Sequence, residues 1–175
     1  MKFVRKAGNL YVEGSNQWMG LKDYQLPTPR VKKETHSPGG GIMDVEIPIG
    51  AIEPLTFAFN TINAEPEVLG SFGMHLSQRR LFTVYELLQD EDEGTKRERI
   101  ITMRGVLSET TPEQMAGRGV KGYGYQISSI LDYEDVIEGY GIVARFTFKT
   151  NTWRGYGVAA GSDEDNRILR ISASA

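Results

Sequence analysis

The sequence predicts a mainly β protein, an antiparallel β-sandwich or barrel with one short α-helix. Three observations carry this. Twenty Gly and seven Pro are scattered between short apolar runs, the spacing of many short strands joined by turns. Several segments alternate apolar and polar residues at period two, which puts one set of side chains on each face of a strand. Only one stretch joins a helix start, a helix stop and apolar residues three and four apart. The 175 residues suit one domain with a proper core; no repeat or linker divides the chain, so residues 1–175 are read as a single domain.

The elements follow in order. Asn9 to Val12 reads as a first strand, closed by the turn Glu13-Gly14, and Trp18 to Leu26 is placed to pair back on it. Pro27 and Pro29 precede an extended stretch from Arg30 to His36. The loop Ser37-Pro38-Gly39-Gly40-Gly41 fits neither a helix nor an inner strand. In Asp44 to Ile49, Val45, Ile47 and Ile49 share a face, which predicts a half-buried strand. Pro48 cannot donate to a ladder, so that strand lies at an edge or bulges there. Leu55, Phe57 and Phe59 alternate in the same way. Glu65 to Gly73 is the expected helix: Pro66 in its first turn, acidic residues at its positive end, Gly73 at its stop, and Val68, Leu69 and Phe72 as its apolar stripe.

Arg79 to Leu88 and Lys96 to Gly105 flank the acidic turn Gln89 to Gly94 and predict a long hairpin. Ser108 to Gly122 shows no period and reads as a loop. Tyr123 to Leu131 reads as a strand with Tyr123, Tyr125, Ile127 and Leu131 on one face. Ile142, Ala144, Phe146 and Phe148 mark the cleanest alternation, and Gly161 to Asn166 reads as a polar turn before a short strand, Arg167 to Ile171.

Composition narrows the function. Twenty Lys and Arg against twenty-three Asp and Glu give a net charge of −3, the wrong sign for a tight binder of phosphate backbones. With no cysteine, disulfides, thiolate metal sites and cysteine nucleophiles are excluded. Met1 to Lys6 is not followed by the apolar run of a signal peptide, and no apolar stretch reaches membrane-spanning length; a soluble protein is expected.

Candidate chemistry is sparse. His36 and His75 lack partners at metal-binding spacing and read as surface histidines. Asp90 to Gly94 resembles a calcium loop, but Lys96 and Arg97 stand where a distal glutamate is needed, so a solvated hairpin tip explains it better. Gly39 to Gly41 lacks the lysine and following helix of a phosphate loop. Three Gly-Tyr-Gly triplets, around Tyr123, Tyr140 and Tyr156, could form aromatic platforms, but packing at strand ends accounts for them. No catalytic, cofactor-binding or metal-ligating residue is predicted, and no cofactor.

Several stretches, in order, resemble the major tail tube protein of contractile-tailed bacteriophages: Asn9-Leu10-Tyr11-Val12-Glu13-Gly14, Leu26-Pro27 before the charged strand Arg30 to Thr35, Gly39-Gly40-Gly41-Ile42-Met43-Asp44-Val45-Glu46-Ile47, Leu55 to Phe59, the Pro66-Glu67-Val68-Leu69 helix with Phe72-Gly73, Leu88 to Gly94, and Met103-Arg104-Gly105. The likeness covers most of the first 115 residues and weakens beyond Lys121. It departs at Ile42, which interrupts the glycine-Met-Asp run, at Glu65 and at Met115. The resemblance implies the tail-tube fold and a structural virion protein without catalysis. It implies six copies in a ring, and rings stacked into a hollow tube inside a contractile sheath, the conduit for DNA ejection. Tubes of phage-tail-like bacteriocins and of type VI secretion share that fold. The implied partners are other copies of the chain, the sheath protein, the tape-measure protein, the baseplate and the tail terminator. The resemblance further implies that DNA passes the lumen without specific binding and that assembly takes place in the host bacterial cytoplasm.

Within that frame, the strand pair Arg30 to His36 and Asp44 to Ile49 is expected to reach an adjacent subunit or ring. Pro38, Gly39, Gly40, Gly41, Ile42, Met43, Asp44, Val45 and Ile47 are the candidate interface residues: glycines for close backbone approach, Ile42 and Met43 as apolar anchors. The competing class is a monomeric β-barrel binding module with Trp18, Trp153 and the tyrosines around a sugar or apolar ligand. A small β-fold hydrolase is the reading with least support.

Overall fold

The computed structural model describes residues 3–72, 78–156, 158–159 and 162–171. Strand β1 (Val4–Val12) turns at Glu13-Gly14 into the short β2 (Ser15–Asn16), and β3 (Leu21–Gln25) follows. Next come β4 (Val31–His36), β5 (Val45–Ile52), β6 (Phe57–Thr61) and helix α1 (Pro66–Leu69). The second half runs β7 (Arg80–Gln89), β8 (Lys96–Pro112), β9 (Tyr123–Ile137), β10 (Gly141–Thr147), β11 (Thr152–Gly155), β12 (Val158–Ala159) and helix α2 (Ser162–Ile168). All strand pairs are antiparallel.

The main sheet is ordered β12-β11-β10-β9-β8-β7-β1-β2, with β6 and then β3 branching from β9. Its ends, β12 and β2, do not pair with each other, so among the described residues the sheet stays open and the barrel alternative is corrected to an open, folded-over sheet. The branch lies over the core: Leu21, Tyr24 and Leu26 pack on the cluster built by Leu10, Phe57, Phe59, Phe82, Val84, Ile101, Met103, Tyr125 and Ile127. Stacked rings fill its centre, with Phe59 and Tyr125 centroids 4.8 Å apart. The alternations at Leu55 to Phe59 and in β7 are the burial patterns expected of strands with one covered face.

One strand explains the branching. β9 offers its Tyr123–Ile127 half to β6 and its Asp132–Ile137 half to β10, while β8 runs along its other side. The switch falls at a bulge: β8 steps from Arg104 to Val106 while β9 steps from Asp132 to Ser128, and Ser129 takes the left-handed conformation at φ 52°. Opposite it, a Cβ on Gly105 would stand 2.5 Å from Ile127 Cγ2 and 3.0 Å from the Ser128 carbonyl, so only glycine lets the strands approach. The two extra residues bring Ile130 into the core and turn Leu131 to the flank, and the inward alternation of Tyr125 and Ile127 resumes at Tyr133. Leu131 therefore does not share the buried face of Tyr125 and Ile127.

Beneath the β3 branch lies a buried ion cluster. The Glu86 side chain, 0% exposed, accepts from Arg99 at 3.0 Å and Arg5 at 3.1 Å, and from the Tyr24 hydroxyl at 2.7 Å. Arg99 grips Asp135 through Nε at 2.9 Å and Nη2 at 2.6 Å. The Asp135 hydrogen bonds, with both carboxylates close by, hold this guanidinium firmly protonated. Burial, then the Glu86 hydrogen bond, raises the pKa of Tyr24 far above the ordinary phenol value.

Other sequence expectations change. The Trp18 to Leu26 stretch pairs not with β1 but with β6, through β3; only Ser15 and Asn16 pair back on β1. Strand β8 extends through Pro112, because β9 continues alongside it, so the loop begins only after that residue. Helix α1 ends at Gly70 rather than Gly73, and Phe72 stays half exposed, so Val68 and Leu69 alone pack on the core. Gly73, like His75, lies outside the described residues. The expected C-terminal turn and strand are instead α2: Asp163, Glu164 and Asp165 favour its N-terminal turn and Arg167 its last, as the helix dipole requires.

Candidate functional site

Strands β4 and β5 form a separate two-stranded sheet, an arm that leaves the body between Leu26 and Leu55. Every residue from 28 to 51 is exposed. The strands pair Lys33 with Pro48, Glu34 with Ile47, Thr35 with Glu46 and His36 with Val45. Near the base the register shifts between Val31 and Lys33, and Gly50 sits at φ +72°. Pro48 thus has both features expected of it: an edge strand and an irregular ladder beside it.

The pleat sorts the side chains. Val45, Ile47 and Ile49 stand on one face, 49%, 48% and 41% exposed, with only His36 and Glu34 opposite them on β4. On the other face Lys33 Nζ donates to Glu46 at 2.7 Å. That hydrogen bond and the opposed charge raise the lysine pKa and lower the glutamate pKa, tying the two strands without burying either group. Strand β5 is therefore not half-buried as expected. Its pattern is that of a covered strand, but β4 is charged on both faces and, among the described residues, no other element lies over it.

All the predicted interface residues fall on this arm. Pro38, Gly39, Gly40 and Gly41 make the tip, where Gly40 takes φ +81° and the Gly41 amide donates to the Pro38 carbonyl at 2.9 Å. Ile42 and Met43 project from it wholly or largely exposed. Asp44 follows with no cationic partner among the described residues, and Val45 and Ile47 continue the apolar row along β5.

At the other end of the arm the body carries an apolar groove of about 500 Å³. Ile52 and Pro54 at the root of β5 form one side, and Leu131, Phe148 and Trp153 another, with Arg79 at the rim. Phe148 is 64% exposed. Arg79 reaches the Ser129 carbonyl at 3.3 Å and its hydroxyl at 3.1 Å and has no carboxylate partner among the described residues. Sequence reasoning missed this groove, because it depends on the bulge that turns Leu131 outward; the left-handed Ser129 has no reliable sequence mark.

The other candidates resolve into structural roles. Asp90 caps its own turn, its carboxylate accepting the Asp92 amide at 2.9 Å, and Glu91 pairs with Lys6. Among the described residues no group of His, Asp or Glu is arranged to hold a metal ion. Trp18 and Trp153 line different clefts, so the shared aromatic pocket of a binding module is not formed. Tyr123 stacks on Tyr125 at 6.3 Å, as packing requires.

The family model for phage tail tube protein FII matches residues 5–144. The chain belongs to this family. Its proteins are structural components of tail tubes and not enzymes. In three dimensions the chain is similar to one in the cryo-EM structure of an extracellular contractile injection system, the PVC sheath-tube complex in its extended state. That similarity has 8% sequence identity and a TM-score of 0.49 over 69% of this chain and 82% of the other. No curated protein matches it in sequence. The family match takes in the whole arm and the β1–β9 body, and ends within β10.

Proposed function

We propose that the chain assembles with itself into six-membered rings that stack as the inner tube of a contractile tail, the conduit for DNA. The observation that carries this reading is the arm: a strand patterned for burial, Val45, Ile47 and Ile49, that its own chain leaves in water. An apolar row of this kind, flanked by unpaired strand edges, is suited to burial against a neighbour. Unlike surfaces on one subunit give head-to-tail contacts, which close rings or grow filaments. In this reading Pro38 to Asp44, Val45 and Ile47 meet an adjacent subunit or ring. The sheath protein surrounds the tube, and the tape-measure protein, baseplate and tail terminator complete it. The product is part of a virion tail assembled in the host cytoplasm; a bacteriocin or secretion tube would use the same contacts.

Six copies at −3 each carry −18 per ring, and a lumen wall bearing part of that charge repels phosphates, so that DNA slides without sticking. Strong retention of duplex DNA by assembled tubes at low salt would count against a conduit. The test of assembly is direct: residues 38–43 are replaced by a short polar turn, and the product is compared by negative-stain microscopy and sizing. Folded protein without tubes is expected; normal tubes refute the reading.

A further inference from the structure

We propose that the arm's tip docks in the apolar groove of a second copy, with Ile42 and Met43 in the groove beside Leu131, Phe148 and Trp153, and Asp44 against Arg79. The inference rests on the self-assembly reading above and names the receiving surface.

Shape and chemistry match. The tip presents two aliphatic side chains with no cover, and the groove of about 500 Å³ is lined mostly by apolar side chains. The tip carries Asp44 beside the two anchors, and the groove lining carries Arg79 and, by the root of β5, Glu53. Asp44 and Arg79 have no opposite partner among the described residues, so the docked Asp44 lies toward Arg79 and away from Glu53. The signs are complementary, and a rim pair of this kind fixes register as well as attraction. The Lys33–Glu46 pair is already satisfied within the arm and adds no competing charge.

Geometry requires that the occupant be another molecule. Ile52 is the last residue of β5 and lines the groove, while the tip lies at the opposite end of the arm. Eight residues of strand at roughly 3.3 Å each separate them by about 25 Å. A hydrogen-bonded strand pair cannot double back over its own length, so a copy cannot fill its own groove. The tip of one copy in the groove of the next is a contact between unlike surfaces, and it leaves each copy with one tip and one groove to pass the interaction on.

The chain's lack of cysteine makes the test clean. Two single-cysteine proteins, Ile42→Cys and Phe148→Cys, are mixed under assembly conditions and oxidised. Heterodimers well in excess of either homodimer are expected; no excess overturns the docking. Independently, Asp44→Arg and Arg79→Asp should each raise the concentration needed for assembly at least about tenfold, with the double variant recovering most of that loss. A double variant no better than either single one also overturns it. The 38–43 replacement separates the two levels. Tubes that survive it refute the self-assembly reading itself. Lost tubes without tip-to-groove heterodimers refute only the groove as the receptor.

Discussion

Replacing Arg99 by Met isolates the buried ion cluster that fixes the β3 branch over the body. The substitution keeps an unbranched apolar stem and removes the guanidinium and its charge. It deprives Asp135, 5% exposed, of both its guanidinium bonds, and leaves Glu86 only Arg5 and Tyr24. Breaking a buried pair from one side costs about 3–5 kcal/mol. The lower figure applies, because Glu86 keeps two partners and the Arg99 side chain is 23% exposed. At roughly 2–4 °C per kcal/mol for a domain of this size, the melting point falls by about 6–12 °C. Urea and thermal unfolding at matched protein concentration measure this, since assembly is linked to stability. The triple variant Arg99→Met, Glu86→Leu, Asp135→Leu should recover much of the loss, because it leaves no buried carboxylate without a partner. A loss below about 1 kcal/mol for Arg99→Met, or a triple variant as unstable as the single one, would refute the reasoning.

Three further outcomes are expected. Val45→Ser with Ile47→Ser should leave subunit stability within about 0.5 kcal/mol while preventing tubes, as read by unfolding of the unassembled subunit and by microscopy; a large stability loss would mean the row is covered within the subunit. Gly105→Ala should destabilise by about 1–3 kcal/mol, because its Cβ meets Ile127 and the Ser128 carbonyl; urea midpoints decide it. Burial, then the Asp135 charge, pushes the Tyr133 pKa up to about 12 from 10.0. The folded state then holds this proton more tightly than the unfolded one, so its contribution is complete below pH 10 and fades as pH rises to about 12. Tyr133→Phe should flatten that alkaline decline in unfolding measurements.

Much of this fold was legible in the sequence because period-two alternation and turn residues report local facts. The strands at Leu55 to Phe59, Arg79 to Leu88 and Lys96 to Gly105, and the glycine tip of the arm, follow from residues adjacent in the chain. What was hidden depends on distant partners. Nothing within Trp18 to Leu26 says that its strand pairs with β6 rather than β1. The face switch at Ser129 comes from a mismatch between β8 and β9, which neither strand shows alone. The exposure of Val45 and Ile47 was partly readable: Arg30 to His36 offers no second apolar row, so the hairpin could not have had a covered face on both strands. Sequence reasoning missed helix α2, reading a polar turn and a strand, although the acidic-to-basic order of Asp163 to Arg167 marks a helix.

The double use of β9 has a consequence for synthesis on the ribosome. Among the described residues strand β3 pairs with β6 and β6 with β9, so this branch gains its strand pairing to the body once Tyr123–Ile127 has been made. At 5–20 residues per second, about 3–12 s separate Thr61 from Tyr123 during translation. Throughout that interval the arm is already complete while the body it hangs from is not. In the docking proposed above, a chain in that interval has its tip but not yet Leu131, Phe148 or Trp153 of the groove, so it can enter a finished neighbour before it can receive one.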